Sequence, residues 1–395
     1  MISVEEALTR CFALVATLSP EVVPLRSACG RVMPAPAVAL RDQPPFAASA
    51  MDGYAVQGDA PPGTSFTVIG EAGAGHAFDG AIGPGQAVRI FTGAPVPQGA
   101  TRVILQEDVQ SDGPQITVTG TDSGTNIRPA GQDFRAGDTL SPRRLRANDV
   151  ALLASMNIPT VSVTRRPIVA IIATGDELVM PGEAPRDDQI IASNAFALAA
   201  MAEGEGAEVR FLPIARDTEA DLFTVLTLAE GADLVVTIGG ASVGDHDLVG
   251  RVAESMGMER AFYKIAMRPG KPLMAGRLRG VPMLGLPGNP VSSIVCGHLF
   301  LLPMLRAMLG LGHLAAPVKQ GLLAVDVPAN GPRTHYMRAR ITGHDGLPML
   351  TPFDRQDSAL LTILTEADGL LIRPVGDGPR VAGHPVDWLP LQGTT

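Results

Sequence analysis

Between residues 166 and 311 the chain alternates uninterrupted apolar runs with stretches whose apolar positions recur at helical spacing. The runs PIVAIIAT (167–174), EVRFLPIA (208–215), DLVVTIGG (233–240), FYKIAM (262–267), PLMAGR (272–277) and VPMLGLP (281–287) predict strands. Helices are expected over about 191–203, 218–230, 246–256 and 290–309. A run apolar on both faces suits a strand buried in a parallel sheet, because both of its faces are covered. Strands and helices in alternation therefore predict a mostly parallel, doubly wound α/β domain.

The texture differs on either side. From about 52 to 138 short β-like runs, FTVIG (66–70), AVRIFTG (87–93), RVILQE (102–107) and QITVTG (115–120), are separated by Gly, Pro and Asp turns, and read as a small β domain. From about 317, GLLAVDVPA, HYMRARITG and GLLIRPV read as β again. At the front, Ser3 and Glu6 form a capping box ahead of an apolar face made by Ala7, Leu8, Cys11, Leu14, Val15 and Leu18. Around 140–160 helical character returns, with Asn148 as the expected cap of DVALLASM. The division expected is an N-terminal linker domain from 1–48 plus 139–165, an inserted β domain over 49–138, a central α/β domain over 166–313 and a C-terminal β domain over 314–395. The insertion follows if the N-terminal helix packs beside the 140–160 helix.

Composition narrows the function. With 395 residues, 46% hydrophobic and 18% charged, the chain is long enough for several cores and fits a globular protein. A formal charge of −9 and 4% aromatic content exclude a general nucleic-acid binder, which needs a basic surface and often stacking platforms. Cys11, Cys29 and Cys296 are scattered and lack C-x-x-C spacing, so a disulfide framework or structural zinc is not expected and a reducing cytoplasm is. Early Glu5 and Glu6, with no A-x-A pattern, argue against a signal sequence. No apolar run reaches the roughly 18 residues that span a bilayer, so no membrane partner is expected.

The chemistry gathers at strand ends, where open α/β sheets bind ligands. The first strand stops at Thr174, Gly175, Asp176 and Glu177. The third leads into GGASVG (239–244), whose Gly239, Gly240, Ser242 and Gly244 let backbone approach an anion ahead of a helix; Asp245 and Asp247 follow. That loop is neither G-x-G-x-x-G nor a Walker motif, so its bland alternative is a tight turn. Asp217 serves either as a helix cap or as a ligand contact. Carboxylates at strand ends repel phosphate unless a divalent cation reconciles them, and Mg²⁺ takes one or two carboxylates plus phosphate oxygens. Lys264, Arg268 and Lys271 crowd one turn in an acidic chain, which suits an oxyanion. In LPGNPVS, Asn289 is an expected N-cap before Pro290, and the loop exposes Pro287, Gly288 and Ser292 beside the same sheet edge. In SAMDGYAV (49–56) a turn explains Asp52-Gly53 but not Met51 and Tyr54.

Taken together, SAMDGYAV (49–56), RIFTGAPVP (89–97), ATGDEL (173–178), GGASVGDHD (239–247), KIAMRPGKP (264–272) and LPGNPVSS (286–293) resemble the molybdopterin molybdenumtransferase family, that of MoeA and the gephyrin E-domain. The resemblance implies Mg²⁺-dependent conversion of adenylylated molybdopterin and molybdate into molybdenum cofactor and AMP. It implies a homodimer whose cleft lies between the central domain of one subunit and the β insertion of the other. By motif, Asp52, Glu177, Asp217, Asp247, Lys264 and Arg268 would be catalytic, Glu177 and Asp247 would hold the metal, and Thr92 would bind substrate. Arg338 in HYMRAR and Ser358 in RQDSALL loosely match the family's cationic and Ser-containing segments, beside an added Asp357. Arg268 stands where bacterial relatives often carry Lys. Alternatives are a molybdopterin adenylyltransferase, which shares the central fold, and a non-catalytic molybdopterin-binding scaffold. The adenylyltransferase and cofactor-accepting enzymes are the expected partners.

Overall fold

The computed structural model describes residues 1–120, 123–240, 248–343 and 346–391. Ser242, Gly244, Asp245 and Asp247 lie outside the described residues. The chain divides into two compact units, Met1–Glu21 with Thr164–Thr395, and Val22–Val163.

The first unit contains α1 (Val4–Leu14), β1 (Ile168–Ala173), α2 (Asn194–Glu205), β2 (Glu208–Phe211), α3 (Glu219–Thr227), β3 (Leu234–Ile238), α4 (Leu248–Ser255), β4 (Met258–Tyr263), β5 (Met267–Arg268), β6 (Met274–Leu278) and β7 (Val281–Leu286). One sheet has the order β2-β1-β3-β7-β6-β4. Its first four strands are parallel, and β6 joins β7 and β4 antiparallel. After β1 the chain moves outward to β2 and then returns to β3 on the other side, so the switch point lies between β1 and β3. The apolar run of β1 serves both faces: Val169 and Ile171 join the core under α1 and α2, while Ala170 and Ile172 join the core under α3 and α4.

Helix α5 (Pro290–Met308), which contains a π turn at Gly297–Leu301, is long and apolar enough to cross a membrane. It lies mostly inside the unit, with Val291, Val295, Phe300, Met304 and Leu305 in the same core as α1. The remaining strands, β8 (Lys319–Leu323), β9 (Thr334–Thr342), β10 (Met349–Pro352), β11 (Gly369–Arg373) and β12 (Pro385–Pro390), close into a barrel in the order β9-β10-β8-β12-β11-β9. Its interior is filled by Leu323, Ala339, Leu350, Leu371, Val386 and Trp388. The short β5 pairs parallel with β9.

In the second unit, six strands pair in the spatial order 102–105, 53–56, 86–90, 65–72, 115–118 and 109–112. Successive residues feed opposite faces: Ala55 and Val88 enter one small core, Val56 and Ala87 the other.

Four expectations change. The helix at the N-terminus belongs to the first unit, its face joining the central core with Phe262, Ile265 and Met304, whereas the 147–155 helix belongs to the second. Asn148 is not the cap at 147: Arg146 takes that place, and the Asp149 carboxylate accepts from its backbone N–H at 2.8 Å. FYKIAM is not one strand, because Lys264 turns to a φ of 67° between β4 and β5. The capping box at Ser3 is half formed: Ser3 Oγ accepts from Glu6 N at 3.1 Å, while the Glu6 carboxylate pairs with Arg10.

Candidate functional site

The carboxyl ends of β1, β3 and β7 are tied together by backbone bonds. Thr174 N donates to Ile238 O at 2.9 Å, and Gly239 N donates to Leu286 O at 3.0 Å. Beyond them opens a cavity of about 790 Å³. Its wall brings together ten of the residues singled out in the sequence: Thr174, Gly175 and Glu177 after β1, Asp217 before α3, Gly239 and Gly240 after β3, and Pro287, Gly288, Asn289 and Ser292 around the start of α5. The β3 loop needs glycine. At Gly239, with φ of 92°, a Cβ would sit 2.7 Å from Thr174 O; at Gly240, with φ of 62°, it would sit 2.3 Å from Val249 Cγ2.

The loop bearing Glu177 is held from outside by Arg216. Its Nη1 donates to the carbonyl oxygens of Leu178 at 3.0 Å, Asp176 at 3.2 Å and Gly175 at 3.3 Å. The neighbouring Asp217 amide donates to Asp176 Oδ1 at 3.0 Å. Asp176 thus serves the scaffold and is not on the cavity wall. Of the two readings of Asp217, capping does not hold: Thr218 caps α3, its hydroxyl accepting from Asp221 N at 3.2 Å, and Asp217 faces the cavity.

Lys264, Arg268 and Lys271 do not line the cavity, although Pro272, next to Lys271, does. They ride on a turn closed by Lys264 N donating to Leu273 O at 3.0 Å and Ile265 N donating to Lys271 O at 3.1 Å. Lys264 Nζ lies 4.7 Å from the Tyr263 ring centroid, and Arg268 pairs in register with His335 of β9. Burial and the surrounding Arg268, Arg338, Arg333 and Arg373 push the His335 imidazole down to about 4, so it is neutral at pH 7.

Arg338 on β9 is fully buried. Its Nη2 donates to Asp357 O at 3.0 Å and Arg355 O at 3.2 Å, whereas Nε and Nη1 have no partner among the described residues. Burial lowers its pKa, Asp357 opposes that, and Arg268 adds to it. Ser358 reaches the cavity's rim: its hydroxyl accepts from Asn289 Nδ2 at 3.0 Å and its carbonyl from Val291 N at 3.0 Å.

In the other unit, Oδ1 of the half-buried Asp52 accepts from both the backbone N–H and the hydroxyl of Thr92, each at 2.7 Å. These bonds, backbone first, and then the charge of Arg89 hold its carboxyl below the ordinary value. Arg89 itself lies 4.9 Å from the Tyr54 ring centroid and 5.0 Å from that of Phe91, which gives Tyr54 the role a turn could not.

The sequence passes over four polar residues of the central site. Asn194, whose Nδ2 donates to Gly288 O at 2.6 Å, and its neighbour Ser193 open α2 on the wall; Arg251 on α4 lines it too; Arg216 supports it. Arg216 alone had a signal, its place directly before the flagged Asp217. Among the described residues no three of His, Cys, Asp and Glu cluster as metal ligands. Glu177 and Asp217 nevertheless offer hard oxygen donors to one cavity, the donor type that Mg²⁺ takes when a substrate supplies the rest.

Three family models match the chain in succession. They are the MoeA N-terminal region (domain I and II) over residues 2–157, the "Probable molybdopterin binding domain" over 170–307, and the MoeA C-terminal region (domain IV) over 320–391. A molybdopterin molybdenumtransferase of Nostoc sp. is 35% identical over 372 residues, covering 90% of this chain and 85% of that protein. One from Staphylococcus aureus is 30% identical over 396 residues, covering 98% and 94%. The crystal structure of a molybdopterin biosynthesis MoeA protein from Pyrococcus horikoshii superposes with a TM-score of 0.85 at 30% identity, covering 100% of both chains.

Proposed function

This chain belongs to the molybdopterin molybdenumtransferase (MoeA) family, and from that premise we propose that it inserts molybdate into adenylylated molybdopterin, with cleavage of the phosphoanhydride and release of AMP. The observation that carries this reading is the convergence of three motif loops on one cavity, with Glu177 and Asp217 facing a backbone-lined glycine loop.

In this reading the anhydride lies over Gly239 and Gly240, which line the cavity. Glu177, with Asp247 and beside Asp217, would hold Mg²⁺, which supplies charge neutralisation on the anhydride when bound. In-line attack by water or a molybdate oxygen on the pterin-side phosphorus breaks its bond to the bridging oxygen, and AMP leaves with that oxygen. Asp52 and Thr92 are assigned to the same chemistry. Molybdate is a tetrahedral dianion. Arg338 Nε and Nη1 offer it two charged donors that nothing else uses among the described residues. Arg268 and Lys271 add positive charge and Ser358 a hydroxyl. No group is required to form a covalent intermediate, so the residues act by positioning and by stabilising charge. The homodimer, a cytoplasmic location and delivery of substrate by the adenylyltransferase belong to the same proposal; the three cysteines are free thiols, as a reducing compartment would leave them.

The test is AMP release from adenylylated molybdopterin by the purified protein with Mg²⁺, with and without molybdate. Molybdate-dependent release with cofactor formed is the expected result. Consumption of ATP with unmodified molybdopterin would replace this reading with an adenylyltransferase, and tight binding with no release would replace it with a scaffold.

A further inference from the structure

Among the described residues the cavity wall carries three ionisable side chains: Glu177, Asp217 and Arg251. The first two are anionic, yet the proposed substrate brings an anhydride and a terminal phosphate. The cations assigned to the site do not answer this locally. Lys264, Arg268 and Lys271 are off the wall, Arg216 is engaged with carbonyl oxygens, and Arg338 is buried in the barrel wall. Arg251 remains. It projects from α4 on the exposed side, opposite the core-facing Val249 and Val252, and it has no hydrogen bond or ion pair among the described residues. It also borders a second hollow, of about 300 Å³, with Glu219, Phe223 and Ser255. A guanidinium on a wall that is otherwise acidic presents a planar fork suited to a phosphate, and no carboxylate among the described residues forms an ion pair with it.

We propose that Arg251 pairs with a phosphate of the bound substrate, either in the anhydride or at the pterin's terminal phosphate. This rests on the function proposed above and adds to it a substrate-binding residue on α4. Losing one charge-assisted contact of this kind costs on the order of tenfold in affinity.

The experiment compares wild type, Arg251→Gln and Arg251→Lys by calorimetric titration with AMP and, separately, with unmodified molybdopterin, alongside AMP-release kinetics. For Arg251→Gln we expect KM for adenylylated molybdopterin to rise roughly tenfold while kcat stays within about twofold, with Arg251→Lys recovering part of the loss. Weaker binding of AMP alone places the contact at the anhydride; weaker binding of molybdopterin alone places it at the terminal phosphate. If wild type releases AMP and Arg251→Gln matches it in KM and both affinities, the inference falls and the functional reading stands. If wild type binds neither ligand and releases no AMP, the functional reading falls and takes this inference with it.

Discussion

Asp52 receives two hydrogen bonds from the single residue Thr92, backbone N–H and side-chain hydroxyl, both at 2.7 Å. Both favour the ionised carboxylate, so its pKa lies below the ordinary 3.8. Removing the hydroxyl with Thr92→Val leaves the backbone donor, and the Asp52 pKa should move up toward 3.8 in a carboxyl-carbon NMR titration. Asp52→Ala removes the carboxylate altogether. AMP release should then fall by about a hundredfold or more with an unchanged circular dichroism spectrum, as expected when a preorganised charged group is lost. Near-normal turnover in Asp52→Ala would remove Asp52 from the site.

Glu177 and Arg216 form a second test, because one faces the cavity and the other holds its loop. Glu177→Ala should abolish AMP release without unfolding the protein. Arg216→Ala leaves Glu177 in the chain but releases three backbone carbonyl oxygens, those of Gly175, Asp176 and Leu178. We expect roughly a tenfold loss in kcat/KM together with a higher Mg²⁺ concentration for half-maximal rate, since a loosened carboxylate is a poorer ligand. A loss of rate with an unchanged Mg²⁺ dependence would mean that Arg216 only stabilises the fold.

Much of this was legible in the sequence, for physical reasons that can be named. The run at 168–173 has to be apolar throughout because Val169 and Ala170 enter different cores, and that double burial is visible as an unbroken run. Gly239 and Gly240 stand out because a Cβ at either would strike its neighbours. By contrast, Arg251 and Asn194 reach the cavity only once α4 and α2 are docked, and a single polar residue on a helix carries no periodicity that announces this. The packing of α1 was equally out of reach: its apolar face declares that it will be buried, not against which core. Lys264 broke a predicted strand through a positive φ, which a residue with a Cβ adopts rarely and without any local signal.

Asp233 and Arg165 give a prediction on stability. The pair is bidentate, at 2.5 and 2.6 Å, and Asp233 Oδ2 also accepts from Ile168 N at 2.8 Å. Burial works to raise the Asp233 pKa, but the bonds from Arg165 and Ile168, with the charges of Arg165 and Arg210, outweigh it, and the net shift is downward. A folded pKa below the unfolded value means that the carboxylate stabilises the fold above the ordinary 3.8, and that this contribution is lost as pH falls through the folded value. Asp233→Asn should cost about 2 kcal/mol near pH 7, since it leaves Arg165 and the start of β1 poorly partnered. The difference from wild type should shrink on acidification, and urea titrations at pH 7 and below pH 3.8 would show it. A difference that grows toward acid pH would contradict the assignment.

Arg338 separates stability from function. A fully buried guanidinium with Nε and Nη1 unpartnered among the described residues is a net burden on the fold, because its desolvation is only partly offset by the carbonyl oxygens of Arg355 and Asp357. An apolar side chain of similar length removes that desolvation cost at the loss of only the Nη2 bonds to Arg355 O and Asp357 O. Arg338→Met should therefore keep or raise the melting temperature. Molybdate should raise the melting temperature of wild type by mass action, and leave Arg338→Met unmoved at the same concentration. AMP release by the variant should lose its dependence on molybdate. A variant that melts well below wild type would show that Arg338 is held for the barrel's sake, and one that still responds to molybdate would place the oxyanion elsewhere.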